Sequence, residues 1–411
     1  WAPSWDEPNG GLSRLLRDRS PGQPTVRDRC DPKVVTDAAA LERFREWQKH
    51  GGPVVEEAAP ADIAPVIADT PPKNLHARHF HRTIDTRWRR TSYSGLVRSA
   101  QESVGVGSEP ETIELDDEVA DIPLLVNPAG QEMASPMADL PSGAKFGTLV
   151  HAVLETADPQ AADLQDELQA QVDKHSLWWP VDVPAAELAA ALVPLHDTPL
   201  GPLAGDVTLR QVPMSDRLCE LDFEFPLAGG DRRGHAPEIR LADVGTLLDR
   251  HLGTDDPLAA YVDRLTDATL GRQSLRGYLS GSLDVVLRVP AASGHRYLVA
   301  DYKTNWLGEQ DRPLTAGDYT TGRMAEAMLH SDYPLQALLY SVVLHRFLRW
   351  RQPGYDPEQH LGGILYLFIR GMCGPDTPST DGQRAGVFGW RPPATLVGEL
   401  SDLLDGGEVT R

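Results

Sequence analysis

A mixed α/β fold is predicted by three observations along the 411 residues. Apolar residues recur at helical spacing from Phe146 to Ala157, where Leu149, Val150, Val153 and Leu154 form one stripe. Period-two alternation marks strands at 218–227, 278–289 and 295–303, and turn residues from Pro290 to Gly294 join the last two as hairpin partners. A long amphipathic helix, Tyr333 to Arg351, then leads to the apolar strand Gly363 to Ile369. Helix, three strands, helix, strand is a mixed α/β order.

Taken in order, residues 1–90 are rich in Pro, Asp and Arg and hold two helical stretches, Gly11 to Leu16 and Ala38 to His50. The second carries Leu41, Phe44 and Trp47 at spacing three, but nothing here makes a self-sufficient core. Residues 99–144 contain ten acids and no Lys or Arg, a one-sign block expected to behave as linker or exposed surface. Regular elements begin near residue 145 and include two further helices near 241–252 and 257–269. No internal repeat interrupts them.

Composition bounds the function. Hydrophobic residues at 41% allow a packed core, and the net charge of −21 excludes a globally basic nucleic-acid coat while leaving room for a local groove. Cys30, Cys219 and Cys373 stand far apart, which excludes a disulfide framework, a structural zinc site and a four-cysteine cluster. No apolar run approaches the roughly 20 residues of a membrane span, and the charged N-terminus lacks a signal-peptide core. A cytoplasmic location is expected. The chain opens on Trp1 rather than Met, so it reads as a piece of a longer polypeptide.

Chemistry concentrates at Leu283-Asp284 and Ala300-Asp301-Tyr302-Lys303. In a strand Asp301 and Lys303 share a face, and hairpin pairing brings Asp284 to the same edge. Two carboxylates suit a hard divalent cation such as Mg²⁺, and the lysine can orient a water or meet charge on a phosphate. An ordinary solvated strand face carries the same tripeptide. His151 and Glu155 lie one helical turn apart, so the imidazole is a further candidate ligand or simply a surface histidine beside its glutamate. Glu220, Asp222 and Glu224 share one strand face, and the pattern does not select among them. Gln336 and Tyr340, also one turn apart, can hydrogen-bond a phosphate or sugar. No acid lies between Asp332 and Asp356, where Arg346, Arg349 and Arg351 fall. That segment could meet DNA or complement the helix dipole.

In order, Gly147-Thr148…His151…Glu155, Glu220-Leu221-Asp222-Phe223, Gly281-Ser282-Leu283-Asp284, Asp301-Tyr302-Lys303-Thr304-Asn305-Trp306-Leu307-Gly308, Tyr333…Gln336…Tyr340 and Tyr366-Leu367-Phe368-Ile369-Arg370-Gly371 resemble the C-terminal nuclease domain of the RecB family. The similarity covers roughly residues 88–400 and includes Trp88 to Leu96. It implies a restriction-endonuclease-like PD-(D/E)XK core, a central mixed sheet flanked by helices, behind a helical, partly irregular N-terminal segment. The implied division is 1–87 as the tail of a helicase domain, 88–144 as an acidic tether and 145–411 as the nuclease.

The resemblance further implies Mg²⁺-dependent DNA hydrolysis in double-strand-break processing, with Mn²⁺ or Ca²⁺ able to substitute in binding. His151, Asp284, Asp301 and the Tyr302 carbonyl would hold the metal, and Lys303 would be the catalytic lysine. The family's acid falls on Glu220, while Gln336 and Tyr340 match a helix contacting DNA. Implied partners are single-stranded DNA, RecC-like and RecD-like subunits and a RecA-type recombinase, with no membrane. No G-x-x-x-x-G-K-[ST] occurs, so this chain alone is not expected to unwind DNA. The competing expectation is a catalytically silent module that docks subunits or a recombinase.

Overall fold

The structure, a computed structural model, describes residues 36–57, 87–101, 130, 132–230, 237–292, 294–309, 311–380 and 382–407. The expected helix at 11–16 and most of the acidic block fall outside these residues. Two compact units divide the chain, Trp1–Arg82 and Thr83–Arg411, just before the expected 87/88 division. In the first, helix α1 (Asp37–Lys49) begins where Thr36 accepts a hydrogen bond from the Ala39 amide at 3.2 Å. Phe44 and Trp47 then meet edge to face at 5.3 Å, as their spacing predicts.

The second unit is built on a six-stranded mixed sheet. Its strands are β1 (Arg89–Thr91), β2 (Arg217–Pro226), β3 (Gly277–Ala291), β4 (Gly294–Lys303), β5 (Leu361–Phe368) and, after the small hairpin of β6 (Ser379–Thr380) and β7 (Gln383–Arg384), β8 (Val387–Trp390). The order is β1-β3-β4-β5-β8, with β2 along the other edge of β3. Strands β1 and β3 are parallel, as are β4 and β5, and the remaining pairs are antiparallel. The stretch expected as a tether therefore opens with an edge strand and a helix, α2 (Tyr93–Gln101). Gly277 makes the β1 contact possible: its φ is +113°, and a Cβ there would sit 2.0 Å from the Arg89 carbonyl oxygen.

Helices cover both faces. On one lie α3 (Ala144–Thr156), α4 (Leu164–His175) and α5 (Ala185–Asp197), which share a core with Val285, Leu287, Leu298, Ala300, Leu365 and Leu367. On the other lie α6 (Leu241–His251), α7 (Tyr261–Thr266), α8 (Thr321–His330), α9 (Tyr333–Arg351) and, after the single turn α10 (Pro357–His360), α11 (Ala394–Leu404). These pack with Leu283, Val286, Val299, Ile364 and Tyr366. Helix α9 has the predicted ends, but it is not amphipathic. Every residue from Tyr333 to His345 is buried, because β4 and β5 press on one side and α2, α8 and α11 on the others. A polar side chain on that stretch must find its partners inside the protein.

Pairing around β3 decides where a site can form. Strand β2 runs along one edge from Tyr278 to Leu287, while on the other edge β1 ends at Leu279 and β4 begins at Val285. Among the described residues no strand fills that second edge between them. After Ala300, opposite Val285, β4 parts from β3 and continues beside β5 alone through Lys303. The sheet thus forks at Asp284 and Asp301.

A second irregularity falls at the same place. Leu279 and Leu283 pack in the α6–α9 layer, whereas Val285, Leu287 and Val289 pack in the α3–α5 layer. Regular alternation would put Leu283 and Val285 on one face. The pleat therefore turns over at Asp284. Strand β2 turns with it: Leu221, Phe223 and Phe225 belong to the first layer and Cys219 to the second. The residue between is Glu220, which stands opposite Asp284 in register yet is missing from the ladder, with φ +46°.

Candidate active site

Seven of the eight residues singled out in the sequence are linked at the fork through direct side-chain or backbone contacts, and Glu220 adjoins them. His151, on α3, reaches in from one layer and places Nδ1 3.3 Å from Asp284 Oδ2, with the two side chains only 13% and 17% exposed. Asp284 also closes the backbone: its Oδ2 accepts from the Tyr302 amide at 2.9 Å, just beyond the last β3–β4 pair. The Tyr302 ring lies in the opposite layer from Asp301, edge-on to His151 at 5.9 Å. Asp301 and Lys303 share the other face, as alternation requires, and Lys303 Nζ sits 2.7 Å from Asp301 Oδ2.

Helix α3 is held at this edge by Arg370. Its Nε donates to the Thr304 carbonyl at 2.8 Å and its Nη1 to the Met137 carbonyl at 2.9 Å, while Phe146 and Trp306 flank the guanidinium. The clamp ties the segment leading into α3 to the chain leaving β4, so His151 and Lys303 are fixed to one another.

Lys303 is enclosed. Gln336 Oε1 accepts from Nζ at 3.4 Å and from the Tyr366 hydroxyl at 2.9 Å, and Gln336 Nε2 donates to the Tyr340 hydroxyl at 3.1 Å. Two acceptor contacts on one atom fix which way the amide points. Nζ also lies 4.3 Å from the Tyr333 ring centroid and 5.5 Å from that of Tyr366. Gln336 and Tyr340, which the resemblance assigns to DNA, thus stand behind the lysine, both buried. Sequence reading gave no role to Tyr333 or Tyr366. The available signal was Tyr366 in an otherwise apolar strand, where its hydroxyl needs a partner.

Charges at the fork are mutually dependent. Burial disfavours a charged imidazole at His151, but the Asp284 carboxylate outweighs it and the pKa stands above the ordinary value. Burial pushes Asp284 up, yet attraction to His151 and Lys303 and the Tyr302 amide bring it below the carboxylate range. Asp301 is raised by burial and by the like charge of Asp284, which Lys303 only partly offsets. At Lys303 burial favours the neutral amine, and Asp301 more than compensates to hold it charged.

Glu220 is the acid the pattern could not choose. Asp222 and Glu224 are exposed, and Arg90 pairs with Glu224 at 3.2 Å, whereas Glu220 is half-buried and accepts from Ser282 Oγ at 2.9 Å. Burial, with Asp284 and Glu155 nearby, pushes its carboxyl up to about 7. Its left-handed backbone costs a non-glycine residue about 1–3 kcal/mol. Glu220→Gly is therefore expected to raise stability by about 1 kcal/mol, read as a higher melting temperature, while lowering activity. A Gly variant melting below the original would show that the lost Ser282 contact and the freer unfolded chain outweigh the strain relieved.

One buried atom at the fork, His151 Nε2, has no hydrogen-bond partner, while Asp301 Oδ2 is engaged by the Lys303 ammonium. Two carboxylates are oxygen donors of the kind a hard divalent cation accepts, and the orphaned His151 nitrogen is an atom that a cation would satisfy. Among the described residues no group of three or more His, Cys, Asp or Glu side chains is placed to hold a metal ion as it stands. No helix among them is long and apolar enough to cross a membrane.

No family model matches the chain. Along its length it is similar to curated proteins that carry the name RecBCD enzyme subunit RecB. The relative from Mycolicibacterium smegmatis is 62% identical over 406 residues, covering 98% of this chain and 37% of that protein. One from Mycobacterium tuberculosis is 60% identical over 413 aligned positions, 100% of the chain and 37% of the relative. One from Escherichia coli is 30% identical over 412, 98% of the chain and 29% of the relative. The chain thus spans between 29% and 37% of the length of these relatives.

Proposed function

The chain belongs to the RecB family, matching the C-terminal part of its members, and from that premise we propose that it hydrolyses DNA phosphodiester bonds with Mg²⁺. The observation that carries the reading is the convergence of His151, Asp284, Asp301 and Lys303 at the fork, with His151 Nε2 buried and lacking a hydrogen bond. His151, Asp284, Asp301 and the main chain of Tyr302 would hold the ion. Bound there, Mg²⁺ would supply a Lewis acid and a water of lowered pKa.

The remaining work falls to the chain's own groups. An ammonium cannot ligate a metal, so Lys303 orients the attacking water or meets the negative charge that grows on the phosphate. Glu220, opposite Asp284, can hold or release a proton at its carboxyl. Single-stranded DNA is the substrate this reading carries. RecC-like and RecD-like subunits, and a RecA-type recombinase, are the partners this reading carries, in double-strand-break repair.

The test is degradation of single-stranded DNA by the full-length subunit in its assembled enzyme, with Mg²⁺ and with chelator. Metal-dependent degradation supports the reading. An enzyme that assembles with its partner subunits yet leaves DNA intact would be a silent docking module instead. His151→Ala is expected to weaken Mg²⁺ affinity, measured by calorimetry, and to recover part of its activity with Mn²⁺, which accepts other donors more readily. Unchanged affinity would remove the imidazole from the ligand set.

A further inference from the structure

Lys303 has one strong partner, Asp301, and in the proposed reaction that carboxylate is also wanted by the cation. A lysine stem carries much rotational freedom, so an ammonium whose carboxylate turns away needs something else to keep it in place. Tyr333, from the first turn of α9, and Tyr366, from β5, supply a surface for it. Their rings stack 5.7 Å apart and within 15° of parallel, and the ammonium rests 4.3 Å from the Tyr333 centroid. The face of an aromatic ring attracts a cation, more strongly when both are shielded from water, and Tyr333 and Tyr366 are 3% and 0% exposed.

The rings are themselves held. The Tyr333 hydroxyl lies 3.3 Å from Asn305 Nδ2, and the Tyr366 hydroxyl, which donates to Gln336 at 2.9 Å, also lies 3.2 Å from the Tyr333 carbonyl oxygen. Their bearing on the site passes through Lys303 and Gln336.

We propose that the stacked Tyr333–Tyr366 pair is a positioning floor that keeps the Lys303 ammonium aimed into the fork when Asp301 engages another partner. The inference rests on the nuclease reading for its consequence in rate, but not for its consequence on the lysine. Two readouts on the full-length subunit in its assembled enzyme keep these apart. The first is single-turnover cleavage with DNA affinity measured alongside. Tyr333→Leu should lower the rate on the order of 10-fold with affinity unchanged, and Tyr333→Phe, which keeps the ring, should restore most of it.

The second readout is the rate at which an amine-reactive ester acylates Lys303, followed by mass spectrometry. Loss of the ring should speed labelling on the order of 10-fold, and Phe should keep it slow. Where the Leu variant does not fold, phenylalanines carrying one to three ring fluorines at position 333 keep the shape and drain the ring's negative face. Cleavage should then fall, and labelling rise, stepwise with fluorine number. A flat series, or a folded Leu variant with the original rate and labelling, overturns the proposal. So does a Phe variant as impaired as Leu. An original enzyme that does not cut DNA defeats the nuclease reading, and labelling of Lys303 then decides the floor by itself.

Discussion

Asp284→Ala and Asp301→Ala are each expected to abolish Mg²⁺ binding and DNA cleavage together. Asp284 faces His151 at 3.3 Å and Asp301 faces Lys303 at 2.7 Å, so the two carboxylates carry all the negative charge in direct contact with these cationic groups. Alanine at 301 also strands a buried ammonium, which costs about 3–5 kcal/mol and could mimic loss of function through unfolding. Asparagine variants separate the two effects. Asp284→Asn keeps an acceptor for the Tyr302 amide, and Asp301→Asn keeps the shape beside Lys303, while each removes the charge a cation needs. Calorimetric titration with Mg²⁺, cleavage and melting temperature should be read on all four proteins. A folded Asp284→Asn protein that binds Mg²⁺ and cuts normally would sink the shared metal site.

Lys303→Ala should separate binding from chemistry. Mg²⁺ and DNA affinity are expected to survive, because the ammonium ligates no metal, while the single-turnover rate falls on the order of 10²-fold or more, the scale of one removed electrostatic stabiliser. A Lys303→Ala enzyme that cuts at the original speed would refute the lysine's role and most of the case for a PD-(D/E)XK nuclease.

Local pattern carried much of this arrangement. The 278–303 hairpin and the Asp301–Lys303 face follow from alternation, and α9 begins and ends where its composition predicts. What the pattern could not carry depends on pairing between distant segments. Three-residue β1 has no periodicity to read, and its place beside β3 rests on Gly277. The burial of α9 on all sides is a property of its neighbours, so Gln336 read as a group for a phosphate or sugar although it lies among Lys303, Tyr340 and Tyr366. Among the acids of β2, strict alternation made Glu220, Asp222 and Glu224 equivalent. The left-handed backbone at Glu220 breaks that equivalence, and no composition rule announces it.

Where the sheet divides, the Tyr302 amide hydrogen is covered by a carboxylate instead of by another strand. Its exchange with solvent deuterium is therefore governed by the Asp284 side chain. Whatever draws that carboxylate aside uncovers the hydrogen, while the amides of β4 that precede it stay locked against β3 and β5. Deuterium uptake at this one backbone position, compared with its neighbours in the same strand, becomes a built-in gauge of occupancy. It needs no substrate, and it would respond equally to an ion, a strand end or an inhibitor.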